Sequence, residues 1–174
     1  MDTSTDRAQI LVTAGSKHGA TLEIAERIGE TLQRHGHQVE VTPAERVDDI
    51  DGYQVVVLGS AVYAGHWVAS AREVADMIAN SATSPTTWIF SSGPIGDPPK
   101  PEEEAVDVTE VIASTTARDH RVFSGKIDKS SLSFAERAIL VAVRAPEGDF
   151  RDWDDIENWA NEIARQLAKE DVKS

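Results

Sequence analysis

Residues Ala8 to Ile28 read AQILVTAGSKHGATLEIAERI and combine a strand pattern with a helix pattern. The apolar, β-branched first part of this stretch predicts a strand over Ala8–Thr13, and apolar residues recurring every three or four positions from Leu22 predict an amphipathic helix that stops at Gly36. The segment between them has two glycines, hydroxyl residues and one lysine, with no carboxylate before Glu23. Such a segment is either a turn with a capped helix or a cradle for an anion at a helix N-terminus. By itself the stretch leaves both interpretations open.

The rest of the chain alternates between strand and helix patterns. Further strands are predicted over Gln38–Thr42, Gln54–Gly59, Thr87–Ser91 and His120–Ser124, and helices over Val68–Asn80, Glu102–Thr115 and Trp153–Lys169. This alternation predicts an α/β domain with a doubly wound, five-stranded parallel sheet covered by helices on both faces. In such a sheet a ligand binds beyond the carboxyl ends of the strands, at the topological switch point. The loops after the first, third and fourth strands are therefore the candidate site.

Length and charge narrow the class of protein. The 174 residues are expected to form a single domain over 1–174, with loose ends at 1–7 and 171–174. A net charge of -13 opposes binding to nucleic acid or to an anionic membrane surface. No apolar run is long enough for a transmembrane segment, no signal-peptide pattern is present, and there is no cysteine. A cytoplasmic location is the expectation.

Acidic residues are missing from the stretches that contain the three candidate loops. No Asp or Glu occurs from Arg7 to Leu22, from Gly52 to Arg72 or from Met77 to Gly96. Apolar strands explain part of each stretch but not the loops that follow them. A small anion can therefore approach these loops despite the overall charge. The first loop matches neither the Rossmann glycine fingerprint nor the nucleoside triphosphate P-loop, and it lacks the acid pair of a Mg²⁺ receiver site.

The three loops together resemble those of the flavodoxin superfamily. The first reads GSKHGATLEIA from Gly15, the second GSAVYAGHW from Gly59, and the third SSGPIGDPP from Ser91. Within the superfamily the chain is most similar to the group that includes the menaquinone-dependent protoporphyrinogen IX dehydrogenases. That likeness depends on the G-S-A-x-x-x-G-H pattern with an aromatic residue next, and on the C-terminal EGDFRDWDDIENWANEIA; it covers Ile10 to Leu167. It implies a flavodoxin-like sheet of order 2-1-3-4-5 that holds one FMN noncovalently.

The resemblance also implies which residues contact the cofactor. The first loop would hold the phosphate, the second would wrap one side of the isoalloxazine, and the third would reach its opposite side and pyrimidine end. The implied residues are Ser16, Lys17, His18, Gly19, Ala20 and Thr21, then Ser60, Ala61, Val62, Tyr63, Ala64, Gly65, His66 and Trp67, then Ser92, Gly93, Pro94, Ile95 and Gly96. Ser16 and Thr21 are the expected hydroxyl contacts, and either Tyr63 or Trp67 is the expected stacking surface. Gly15 stands where the family often has Ser or Thr, which removes one hydroxyl contact.

Other residues have two interpretations each. His66 is the catalytic candidate, as a pocket residue or proton relay, and otherwise an ordinary loop histidine bonded to backbone. His35 and His37 lack acidic or cysteine neighbours, so no metal site is predicted. A helix is expected over Phe134–Val143, within an insertion at Ser131–Pro146. It either docks a quinone, a porphyrin or a partner, or packs on the sheet edge.

The third loop indicates the kind of flavoprotein. It has no aromatic residue to cover a flavin, so one flavin face is expected to be open to an organic substrate or a quinone. The resemblance then implies an FMN-dependent oxidoreductase that passes electrons between a reduced, protoporphyrinogen-like substrate and a quinone. One alternative is a flavodoxin-type electron carrier whose acidic surface docks basic redox proteins. The other is a flavin-free scaffold of the same fold that binds proteins.

Overall fold

The computed structural model describes residues 8–63, 65–93, 108–127 and 148–173. Its strands are β1 (Gln9–Gly15), β2 (Gln38–Pro43), β3 (Val55–Tyr63), β4 (His66–Trp67), β5 (Thr86–Ser92), β6 (His120–Phe123), β7 (Lys126–Ile127) and β8 (Gly148–Asp149). Its helices are α1 (Ala20–Arg34), α2 (Ala69–Ala79), α3 (Val108–Thr115) and α4 (Trp153–Lys173), with a 3₁₀ turn at Ala44–Arg46. Within these ranges no helix has the length and apolar character needed to span a membrane.

Among the described residues the predicted strands and helices are present, and two antiparallel pairs were not predicted, β3 with β4 and β7 with β8. β3 continues past Gly59 to Tyr63, and a two-residue strand, β4, turns back against it. These residues were expected to be loop, because a short hairpin depends on its pairing partner more than on periodicity. The expected helix at Phe134–Val143 and the first part of the one at Glu102–Thr115 lie outside the described residues.

The sheet has the predicted order. Its long strands run parallel as β2-β1-β3-β5-β6, which is 2-1-3-4-5 once β4 is counted separately. β4 pairs antiparallel with β3. The register sets Gly15 beside Ser60, and Ser60 beside Ser91. The ends of β1, β3 and β5 therefore lie side by side at the switch point, where the direction of winding reverses.

The central strands are buried on both faces. Along β1, Ile10 and Val12 pack with α1 and α4, whereas Leu11 packs on the other face with α2 and α3. Side chains alternate across a strand, so a strand covered on both faces needs a nearly continuous apolar sequence. The run QILVTA meets this requirement, which is why its pattern predicted a central strand.

An aromatic cluster joins the sheet to α4. The ring centroids of Phe90, Phe123 and Trp159 lie 5.7 to 6.1 Å apart in tilted and edge-on arrangements. Gly59 makes space for it, since a Cβ built there would lie 2.0 Å from Cζ of Phe90. Gly59, the first glycine of the GSAVYAGHW pattern, is therefore required by the packing of the core beneath the second loop.

Tyr53, in the segment before β3, is bonded to a residue of the edge strand β2. The Tyr53 hydroxyl donates a hydrogen bond to the Glu40 carboxylate. Burial, followed by this bond and nearby negative charges, raises the pKa of Tyr53 to about 12. The tyrosine is therefore neutral near pH 7.

Candidate functional site

The first loop connects β1 to α1 through residues 16–19. Gly19 precedes the helix with a φ of 87°, a conformation that glycine adopts without steric cost. The Gly19 amide donates to Ser16 Oγ at 2.9 Å, which closes the loop on itself. The first amides of the 15-residue helix, and the positive end of its dipole, face this loop. Ser16 keeps its hydroxyl proton as a donor, and Lys17 adds an exposed positive charge.

Gly15 lies against the start of α2. A Cβ built on Gly15 would be 2.3 Å from Cγ2 of Val68 and 3.0 Å from both Ala71 Cβ and Ser70 Oγ. The absence of a serine or threonine here was expected only to remove a hydroxyl contact. The structure adds a steric reason, because the volume that a side chain would occupy is filled by the first turn of α2.

The second loop is closed by a serine. Ser60 is fully buried, and its hydroxyl donates to the Ala61 carbonyl at 2.8 Å and accepts from the Val68 amide at 3.0 Å. The side chain thereby links the end of β3 to the entry of α2. Contact of Ser60 with a flavin stays a prediction, and its hydroxyl already has two partners within the protein.

At the end of the second loop, Trp67 is buried and His66 is exposed. Trp67 is 1% exposed, and its indole Nε1 donates to Ser91 Oγ at 2.9 Å. Ser91 Oγ also lies 2.9 Å from Nε2 of His120. Trp67 is thus a core residue and presents no open face for stacking, which corrects one of the two candidates. Because successive side chains of a strand alternate, His66 is exposed where Trp67 is buried. Stacking by Tyr63 stays a prediction.

The third loop begins on a buried platform. Ser92 is 4% exposed at the end of β5, and the Gly93 amide donates to the Phe123 carbonyl at 3.0 Å. Gly125 packs against Ser92 and Gly93, since a Cβ built there would lie 3.2 Å from Ser92 Oγ and 3.3 Å from the Gly93 nitrogen. The start of the loop is therefore held by the segment after β6. The assignments that fall outside the described residues, and stay predictions, are Ala64, Pro94, Ile95 and Gly96.

Each of the three loops contains a glycine in the left-handed region with open space beside it. The φ angles are 87° at Gly19, 79° at Gly65 and 72° at Gly93, and no described atom lies within 4 Å of a Cβ built on any of them. Glycine at such positions allows backbone amides to approach a ligand closely. Together with the helix N-terminus and the acid-free stretches, this donor set fits a phosphorylated aromatic ligand such as a flavin mononucleotide.

Thr21, His35 and His37 are the remaining residues singled out by the sequence. Thr21 is 3% exposed on the inner side of α1, and its role as a hydroxyl contact stays a prediction. The two histidines around Gly36 bond to different elements: His35 Nε2 lies 2.8 Å from Asn161 Oδ1, and His37 Nδ1 accepts from the Ala8 amide at 3.3 Å. In the part of the chain that the structure describes, no group of three His, Cys, Asp or Glu could hold a metal ion.

Sequence reasoning missed Arg151. Its guanidinium Nη1 donates to the carbonyl oxygen of Ala20, in the first turn of α1, at 3.2 Å. The two residues are 131 positions apart. An arginine in the local context GDFRDW gives no sign of such a distant partner. The only available signal was that Arg151 lies within the C-terminal pattern shared with the dehydrogenase group.

A doubly wound sheet with three glycine-containing loops at its switch point defines a mononucleotide-binding class of α/β protein. More particularly, the chain belongs to the flavodoxin-domain family, whose model matches residues 11–154. The predicted superfamily is thereby confirmed, whereas the protoporphyrinogen dehydrogenase group stays a prediction. Among curated proteins, none matches this chain.

Solved structures share the fold at low sequence identity. Flavodoxin 2 from Bacillus cereus is 21% identical, with 94% of this chain and 99% of that chain covered and a TM-score of 0.59. The Fusobacterium nucleatum flavodoxin bound to flavin mononucleotide is 12% identical, with 91% and 98% covered and a TM-score of 0.58. The rubredoxin oxygen:oxidoreductase of Desulfovibrio gigas is 14% identical with a TM-score of 0.62. Of that protein the chain spans 37% of the length, while 95% of this chain is covered.

Proposed function

We propose that this chain is an FMN-binding oxidoreductase that passes electrons between a reduced organic substrate and a quinone. The observation that carries the proposal is the register of the sheet, which sets Gly15, Ser60 and Ser91 side by side so that three loops converge at one point. Membership in the flavodoxin-domain family and the FMN-bound flavodoxin of Fusobacterium nucleatum support FMN as the cofactor.

The chain's own residues would hold the cofactor from three sides. The loop at Ser16–Thr21 would bind the phosphate through backbone amides, the Ser16 hydroxyl and the charge of Lys17. The loops at Ser60–Trp67 and Ser92–Gly96 would flank the isoalloxazine. FMN supplies the redox chemistry when bound, and the protein orients it and sets its electrostatic surroundings.

An open flavin face favours an enzyme. The third loop has no aromatic residue, and the structure buries Trp67 in the core, so fewer side chains are left to cover a flavin. A planar organic substrate of the protoporphyrinogen type, or a quinone, could then reach the ring. The acid-free loops reduce the repulsion that a net charge of -13 would otherwise exert on the carboxylates of such a substrate.

His66 is the candidate for a proton relay in this reaction. It is exposed on β4, immediately after Gly65, at the rim of the second loop. Replacement by glutamine keeps a polar side chain of similar size but removes proton transfer near neutral pH. A His66→Gln enzyme with a lower kcat at saturating FMN is the expected result, and an unchanged kcat and pH profile would exclude the relay.

Two observations favour a second candidate, an electron carrier. The flavodoxins with the same fold are covered over 98% to 99% of their own length, and the acidic surface suits docking to basic redox proteins. A carrier would take up electrons in two well-separated one-electron steps and would not turn over an organic substrate. The flavin-free scaffold is the third possibility, and a cytoplasmic location stays a prediction.

The deciding experiment starts from the visible spectrum of the purified chain after incubation with FMN. A bound flavin spectrum supports the cofactor, and a protein that stays colourless overturns the proposal in favour of the scaffold. The flavin-loaded protein is then mixed with protoporphyrinogen and a soluble menaquinone analogue. Turnover with a quinone as electron acceptor supports the oxidoreductase, whereas two separated one-electron steps without turnover support the carrier.

A further inference from the structure

Arg151 connects the segment before the last helix to the first turn of α1. Its Nη1 donates to the Ala20 carbonyl at 3.2 Å and lies 3.3 Å from a Glu23 carboxylate oxygen. Its Nε and Nη2 donate to the two carboxylate oxygens of Asp149 at 2.8 and 2.7 Å. The guanidinium carbon lies 4.7 Å from the centroid of the Trp153 ring. Three polar partners and one aromatic face therefore hold this cation.

The burial of the Arg151 side chain distinguishes it from an ordinary surface arginine. Exposed pairs contribute little to stability, and the Arg151 side chain is only 4% exposed, whereas its partners Glu23 and Asp149 are 52% and 41% exposed. The two-point hydrogen bond with Asp149 also fixes the orientation of the guanidinium. That bond raises the pKa of Arg151 and lowers the pKa of Asp149, so both groups are charged. The arrangement is therefore rigid and ionised.

Arg151 also balances charge behind the first loop. Glu23 is the first acid after the acid-free stretch at 8–22, and β8 brings Asp149 close to the same helix turn. With Arg151 this group of three carries a net charge of -1, and without Arg151 it would carry -2. A phosphate monoester carries nearly two negative charges at neutral pH. Unbalanced carboxylates one helix turn from a phosphate would oppose its binding.

We propose that Arg151 is a positioning residue for the cofactor phosphate, which holds the first turn of α1 in place behind the loop and neutralises the carboxylates beside it. This inference rests on the proposed FMN site. The phosphate itself would be bound by the loop at Ser16–Thr21, and Arg151 would act through that loop and through its charge.

The test compares two ligands that differ only in the phosphate. Arg151→Gln and the unaltered chain are titrated with FMN and with riboflavin, with the quenching of flavin fluorescence as the readout. By Coulomb's law in a partly solvated site, we expect FMN to bind roughly tenfold more weakly and riboflavin to bind as before. Arg151→Lys restores the charge without the two-point pair, and it should recover part of the FMN affinity.

Arg118→Gln is the matched control. Arg118 also pairs with a carboxylate, that of Glu170, and lies 5.4 Å from the Trp88 ring centroid, but it joins the opposite end of the sheet to α4. This substitution should leave the affinity ratio of FMN to riboflavin unchanged. If Arg151→Gln does not fold, as judged by thermal unfolding without flavin, the ratio is measured for Arg151→Lys. An intermediate loss of FMN affinity, about two- to fivefold, is then expected.

Three results are distinguishable. Failure of the unaltered chain to bind FMN would remove the proposed function itself. If the unaltered chain binds FMN but Arg151→Gln weakens both ligands equally, Arg151 serves only the stability of the fold and the positioning role is overturned. An unchanged affinity for both ligands would overturn it as well.

Discussion

The family pattern and the packing make opposite predictions for a serine in place of Gly15. By the pattern, Gly15→Ser would restore a hydroxyl contact and strengthen FMN binding. In the structure, the new Cβ would lie 2.3 Å from Cγ2 of Val68 and 3.0 Å from Cβ of Ala71, so the loop or α2 must shift. Overpacking of this kind costs about 1–3 kcal/mol. For a domain of this size we expect the unfolding midpoint to fall by about 2–12 °C.

Two further variants identify which contact lowers the stability of Gly15→Ser. Gly15→Ala has the Cβ without the hydroxyl and should lower the midpoint about as much as Gly15→Ser. Val68→Ala removes the atom at 2.3 Å, so the double variant with Gly15→Ser should be more stable than the sum of the single effects by about 1 kcal/mol.

The assays are thermal and urea unfolding of the flavin-free chain, followed by FMN titration. FMN should bind Gly15→Ser more weakly, because a displaced loop presents its amides in the wrong positions. A Gly15→Ser chain with the original midpoint and tighter FMN binding would refute the steric reasoning. Strict additivity in the double variant would refute the assignment to Val68.

Further predictions concern other glycines and one tyrosine. Gly19→Ala and Gly36→Ala place a side chain at a φ of 87° and 93° without a clash, so each should lower the free energy of unfolding by about 1 kcal/mol. Only Gly19→Ala should weaken FMN binding, because Gly19 lies in the first loop. Equal weakening by both variants would contradict the role of that loop. Gly59→Ala puts a Cβ 2.0 Å from Phe90 and should lower the free energy of unfolding, measured in urea, by about 3 kcal/mol. Adding Phe90→Leu should recover part of that loss. Full additivity of the two substitutions would show that the ring is not the cause. Burial and carboxylate neighbours raise the pKa of Tyr53 from its ordinary value of 10.0 to about 12, so its stabilising contribution is complete below pH 10.0 and is lost as pH rises toward 12. An ultraviolet titration should show one tyrosine ionising near pH 12, absent in Tyr53→Phe, and its appearance near pH 10.0 would contradict the structure.

The strands and helices of the described residues were predictable, because their signals are local. The apolar run ending at Gly15 and the periodicity after it fold as the pattern indicates. The end of β3 was not predictable in the same way. Residues as far as Tyr63 are extended because His66 and Trp67 fold back to pair with them, and the turn needs Gly65 at a positive φ. Pairing of this kind depends on both partners at once.

The amino-acid sequence was sufficient to predict the doubly wound topology, the three acid-free loops and the glycines that shape them. These features follow from hydrophobic periodicity and backbone conformation, which depend on residues a few positions apart. The tertiary packing determines which groups remain available to a ligand. It placed Trp67 in the core, occupied the space beside Gly15 with α2, and brought Arg151 to Ala20 from 131 positions away. Those outcomes depend on close packing between distant segments, where each side chain's position is set by neighbours that no local pattern specifies.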